Sequence, residues 1–177
     1  MYKVTSVAMM DPIVVFVVGA EHIGKTQLLT NLTRQATCDI GPTLGIEMRQ
    51  WSYKHLDDIF RFRIWDVSGN STFSDIVSLD VQCGNIVVIC YDTCCRQTLA
   101  EMRQWMILVE QSPKKQHIII CGIIDVRGRQ RQVMPSEVHS IQQHAKGRGN
   151  VKSIVSIECS LDNRVPLFQA LLGIVTQ

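Results

Sequence analysis

Residues 19–26 read Gly-Ala-Glu-His-Ile-Gly-Lys-Thr and stand between two segments of different kind. Upstream, IVVFVV (13–18) is an unbroken apolar run with the length and β-branched content of a strand buried on both faces. Downstream, KTQLLTNLTRQ (25–35) sets Leu28, Leu29 and Leu32 at helical spacing. The stretch between them fits G-x-x-x-x-G-K-[ST], and strand before with helix after is the context that pattern requires. Gly19 and Gly24 let the backbone wrap closely round an anion, which successive N–H groups and the helix N-terminus then bind. Lys25 is placed to reach the β- and γ-phosphates of a nucleotide, and the Thr26 hydroxyl to hold Mg²⁺. Gly19, Ala20, Glu21, His22, Ile23, Gly24, Lys25, Thr26 and Gln27 are therefore the candidate phosphate-binding positions.

The rest of the chain alternates in the same way. NIVVICY (85–91), QHIIICG (116–122) and KSIVSIE (152–158) read as further buried parallel strands. TLAEMRQWMILVEQ (98–111), PSEVHSIQQHAK (135–146) and VPLFQALLGIV (165–175) read as helices, the second opening on Pro135, Ser136 and Glu137. Residues 45–66 differ, because alternation runs on both sides of Leu56-Asp57-Asp58: Phe60, Phe62 and Ile64 face one way, Arg61 and Arg63 the other. That is a hairpin within an otherwise parallel sheet. The expected architecture is one three-layer α/β domain over 1–177, with 1–12 an N-terminal extension, six strands and helices on both faces.

Composition bounds the function. The chain is 46% hydrophobic and 19% charged with a net charge of +2, as in an ordinary globular protein, and nothing in it calls for nucleic acid as a partner. Seven cysteines (38, 83, 90, 94, 95, 121, 159) form no CxxC, and Cys90, Cys121 and Cys159 sit in or beside apolar runs as buried free thiols. A reducing, cytoplasmic setting without disulfides or zinc is expected, with neither a signal peptide nor a membrane span. Cys94-Cys95 is internal, and the chain closes on LLGIVTQ, so membrane attachment would need a lipidated tail beyond Gln177. The five histidines offer no catalytic set.

Three more segments follow in order: GPTLGIE (41–47), IWDVSGNSTF (64–73) and IECSLDN (157–163). With the 19–26 loop they resemble the Ras superfamily of small GTPases, a P-loop NTPase fold, and within it the Rab branch most closely. CYDT (90–93), Trp105 and the RQV at 131–133 add to the likeness, while Pro42-Thr43-Leu44-Gly45 is shared with the nuclear-transport and Arf-like branches too. The resemblance implies GTP/GDP and Mg²⁺ as ligands, with Thr43 a second hydroxyl on the metal, Asp66 holding it through a water, and Gly69 donating its N–H to the γ-phosphate. It implies that Asp125, Ser160 and Leu161 face the base, and that effectors and regulators bind through 36–50 and 67–83. The protein would then act as a switch, in vesicle or intracellular transport, near internal membranes.

The pattern breaks in several places. Asn70 replaces the family's water-orienting glutamine and is one methylene shorter, and Glu21 puts a carboxylate near the γ-phosphate, so slow hydrolysis is expected. Asn-Lys-x-Asp gives way to Gly122-Ile123-Ile124-Asp125, aligned either directly or with one residue deleted; both amide and ammonium are lost, and no replacement is visible for the asparagine's tie to the 19–26 loop. Ser-Ala-Lys becomes Ser160-Leu161-Asp162. Among the residues that partners would read, Met48 replaces phenylalanine, and Asp80 and Val81 stand near places usually aromatic. Two alternatives to the switch remain: a GTPase-shaped scaffold with weak or no nucleotide binding, and a phosphotransferase whose lid carries Arg127, Arg129 and Arg131.

Overall fold

The computed structural model describes residues 11–34, 43, 45–69 and 80–176. Strands β1 (Ile13–Gly19), β2 (Ile46–His55), β3 (Asp58–Val67), β4 (Ile86–Asp92), β5 (Gln116–Ile124) and β6 (Val151–Ser160) form one sheet in the order β2-β3-β1-β4-β5-β6. Helices α1 (Lys25–Thr33), α2 (Arg96–Glu110) and α3 (Pro135–Ala145) lie between strands, and α4 (Val165–Val175) follows β6. All neighbouring pairs are parallel except β2 and β3, whose antiparallel ladder runs from Ile46 opposite Val67 to His55 opposite Asp58. The two-residue turn between them holds Leu56 at a φ of 54°. This is the expected mostly parallel sheet with one antiparallel hairpin strand.

The apolar runs become strands because both of their faces are covered. Every residue of β4 is buried. Phe16 and Val18 of β1, Val87 and Ile89 of β4, and Ile118 and Ile120 of β5 pack with Leu99, Met102 and Val109 of α2 and Val138 of α3. Val15, Val17, Val88, Cys90, Ile119 and Cys121 point to the other face, under Leu28, Leu29 and Leu32 of α1 and Leu167 and Leu171 of α4. In the hairpin Phe62 and Ile64 are buried while Arg61 and Arg63 are exposed, as period 2 requires. Trp51 stacks on Phe62 at 5.0 Å, and Tyr53 meets Phe168 edge-on at 4.8 Å, which closes the β2 end of that core.

Two readings of the sequence change. Val81 is wholly buried and its carbonyl accepts a hydrogen bond from Gln116 Nε2 at 2.7 Å, so it belongs to the core rather than to a partner-facing surface. Strand β5 runs two residues past QHIIICG to Ile124, because Ile123 is itself core and pairs with Cys159. Among the described cysteines Cys90, Cys94, Cys121 and Cys159 are buried free thiols. Strand order reverses at β1, flanked by β3 and β4, so the loop leaving its C-terminal end opens at the switch point of the sheet, where α/β folds place ligands.

Candidate functional site

The 19–26 loop leaves β1 at that edge. Gly19 has a φ of 134°, and Gly24, at the N-cap of α1, has a φ of 93°; both lie in the region that glycine tolerates best. Lys25 is turned inward and buried, its Nζ donating to Gly19 O at 3.0 Å and Ala20 O at 2.6 Å. Burial lowers its pKa, while the carboxylates of Asp66 and Glu21 work against that shift. Glu21 and His22 are exposed and lie 3.5 Å apart, side chain to side chain. Gly69, two residues after β3, packs against the Ala20–Glu21 peptide, where any Cβ would collide with backbone. Gln27 points to solvent.

Three oxygen groups converge beside Lys25. Thr26 Oγ1 and Thr43 Oγ1 are 2.9 Å apart. Asp66, at the C-terminal end of β3, is fully buried, and neither carboxylate oxygen completes a hydrogen bond. Burial raises its pKa, whereas the nearby Thr26 hydroxyl and the charges of Lys25 and Arg49 lower it. An orphaned buried carboxylate beside two hydroxyls is a set of hard oxygen donors, which suits Mg²⁺. With one carboxylate it is too weakly charged to hold the ion tightly without phosphate oxygens. No group of three or more His, Cys, Asp or Glu gathers elsewhere as a metal site among the described residues.

Arg49 was not singled out in the sequence. It is buried on β2, donating to Thr30 Oγ1 at 3.1 Å on α1 and to Glu47 Oε2 at 3.3 Å. Its alternation with Trp51 and Tyr53 was the available signal, and its charge argued against reading it as inward-facing.

The family model for the Ras family matches residues 14–175 of the chain. The protein belongs to the Ras family. It is similar to mouse Ras-related protein Rab-12, with 24% identity over 98 residues that cover 55% of this chain and 40% of Rab-12. It is similar along more of its length to human Ras-related protein Rab-22A, 20% identical over 167 residues, which is 89% of this chain and 86% of that protein. ADP-ribosylation factor-like protein 5 of Caenorhabditis elegans is 25% identical over 108 residues, 60% of this chain and 58% of that one. The match thus spans less than half the length of Rab-12.

At the edge where the resemblance would place a base, this Ras-family chain departs from the family pattern. Ile23, Ile123 and Leu161 belong to the same apolar core face, and the Leu161 side chain lies directly on Gly24. Leu161 is fixed from α1, since Asn31 Nδ2 donates to its carbonyl at 2.5 Å and Arg164 caps the carbonyls of Asn31 and Leu32 at 3.1 and 3.0 Å. Ser160 ends β6 opposite Ile124.

Asp125 is already engaged. Its Oδ1 accepts from Arg127 N at 2.7 Å, and its Oδ2 accepts from Arg129 Nε. Arg129 also reaches Asp92 Oδ2, at the end of β4, at 2.9 Å. The Arg127 N–H, and after it the Arg129 guanidinium, hold the Asp125 carboxyl below its ordinary pKa. Arg131 is bound to Glu158 through two hydrogen bonds of 2.8 and 2.6 Å. These pairs assign Arg129 and Arg131 to the protein's own carboxylates, which removes the main support for a phosphate-clamping lid. Asn70 lies outside the described residues, as do 36–42, 44 and 70–79 of the two segments expected to meet partners.

Proposed function

We propose that the protein is a guanine-nucleotide-binding switch of the small-GTPase type that hydrolyses GTP slowly. The observation that carries this reading is the convergence of Lys25, Thr26, Thr43 and the unpartnered Asp66 at the mouth of a loop built for phosphate. In that reading the N–H groups from Gly19 to Gln27 cradle the phosphates, and Lys25 exchanges loop carbonyls for β- and γ-phosphate oxygens. Thr26 and Thr43 would hold Mg²⁺ directly and Asp66 through a water; the ion, when bound, neutralises charge on the phosphates. Gly69 donates its N–H to the γ-phosphate, so the segments carrying Thr43 and Gly69 respond to the presence of that group. Ser160 and Leu161 line the base side, with Asp125 at its rim.

Slow hydrolysis follows from two side chains. Asn70 is too short to orient water as glutamine does, and Glu21 presents a carboxylate beside the peptide against which Gly69 rests. Effectors and regulators would bind through 36–50 and 67–83, and the resemblance to the Rab branch implies a role in vesicle or intracellular transport. No helix among the described residues is long and apolar enough to cross a membrane. The test is to release and identify any nucleotide carried by the purified protein, then titrate it with GTP, GDP and ATP in the presence of Mg²⁺. Bound guanine nucleotide, or GTP and GDP binding with Mg²⁺ dependence, supports the switch; absence of both rejects it.

The engaged state of Asp125 favours a second reading, a GTPase-shaped scaffold with weak or no nucleotide binding. The same titration separates the two.

A further inference from the structure

Guanine differs from hypoxanthine only in its N2 amino group, and a carboxylate facing the base edge is what rewards that group. Asp125 is the one carboxylate that the strand register brings from β5 to this edge, and its side chain is only 8% exposed. Each of its oxygens accepts a hydrogen bond, one from the Arg127 N–H and one from Arg129, whose own side chain is 58% exposed. Arg129 is held in place from behind by Asp92, which is in turn fixed by accepting the Cys94 N–H at 2.8 Å. Ile123 and Ile124, beside Asp125, carry no side-chain polar atom that could replace it. A carboxylate paired in this way has little negative charge left to offer a weak amino donor.

We infer that Arg129 is a specificity-determining residue: by pinning Asp125 to Asp92 it withdraws the carboxylate from the base, so that the site binds GTP and ITP almost equally. The inference rests on the nucleotide-binding reading above and deepens it. An arginine that merely stabilised the loop would affect both nucleotides alike. One that governs recognition changes their ratio.

The experiment is calorimetric titration of the full chain with GTP and ITP in the presence of Mg²⁺, for wild type, Arg129→Ala, and Arg129→Ala combined with Asp125→Asn. Wild type should bind the two within about threefold of each other. Arg129→Ala should favour GTP by about tenfold or more, the usual worth of a hydrogen bond to a charged group, and the added Asp125→Asn should abolish that preference. A wild-type preference for GTP of tenfold or more overturns the inference while leaving the switch intact. So does an Arg129→Ala ratio equal to that of wild type. If wild type binds neither nucleotide, the nucleotide-binding reading itself fails, and this inference falls with it.

Discussion

Leu161 lies on Gly24 so closely that a Cβ on the glycine would come within 2.7 Å of Leu161 Cδ2. A loop after the last strand thus braces the 19–26 loop through an apolar contact. Gly24→Ala meets two penalties, this clash and a φ of 93°, and should destabilise the protein by about 2–4 kcal/mol. Leu161→Ala removes the clash but not the backbone strain. In urea unfolding, the double variant should therefore be more stable than the sum of the single losses predicts, by about 1 kcal/mol. Strict additivity would show that the two residues do not bear on each other.

Lys25 allows fold and ligand to be separated. Its ammonium is buried against two carbonyls, so Lys25→Met exchanges a desolvated charge for an apolar chain of similar length. Stability should change by no more than about 1–2 kcal/mol, because burial of the charge offsets much of what its hydrogen bonds contribute. GTP affinity should fall by roughly 100-fold, the loss of one or two charge-assisted hydrogen bonds to phosphate. An unchanged affinity in a folded variant would place the phosphates elsewhere.

Asp66 is a buried carboxylate without a hydrogen bond, which stability alone would not favour. Asp66→Asn removes the charge at nearly constant volume. Without metal or nucleotide the variant should be at least as stable as wild type, by about 0–2 kcal/mol in denaturant. Mg²⁺ together with GDP should raise the melting temperature of wild type and leave that of the variant nearly unmoved. A variant that gains as much from Mg²⁺ and GDP as wild type would show that Asp66 does not serve the metal.

What the sequence disclosed depended on whether the cause was local. The hairpin was visible because alternation across Phe60 to Ile64 is written in neighbouring residues, and so was the strand–loop–helix turn at 19–26, whose glycines and lysine stand within eight positions. The brace between Leu161 and Gly24 was not, since it joins residues far apart in the chain through an apolar contact that no local pattern announces. Arg129 stood four residues after Asp125, but nothing local chose Asp125, Asp92 and Arg129 as partners over solvent; the closing of the loop onto the end of β4 did that. Val81 misled for a related reason, as its place beside Asp80 says nothing of Gln116, whose amide anchors it.

Gly122 is crowded by an aromatic neighbour. A Cβ there would meet Tyr91 Oη at 2.5 Å and Cζ at 2.7 Å, and the adjacent parallel strands leave neither side room to retreat. Gly122→Ala should cost about 1–3 kcal/mol by urea unfolding, as overpacking of a tight interior does. Tyr91→Phe should restore little of that loss, since the ring carbon remains in the way, whereas Tyr91→Leu in the same chain should restore more. Equal recovery in both would point to the hydroxyl alone as the obstacle.

His117 should give the fold a pH dependence at a place remote from the 19–26 loop. On β5 its Nδ1 lies 2.7 Å from Ser153 Oγ on β6; burial, and then the charge of Lys152, lower its pKa. The unfolded chain, with an imidazole near the ordinary value of about 6.5, takes up this proton before the folded one does. Its contribution to stability is therefore complete above about pH 6.5, falls as the pH drops from there to the lowered folded value, and is constant below that. Melting temperatures measured from about pH 8 to about pH 5 should decline across that window, and His117→Gln should flatten part of the decline. Lys152→Ala removes the second cause and should shrink the decline without abolishing it, since burial acts first. A profile that is the same for wild type and His117→Gln would show that this histidine does not couple folding to pH.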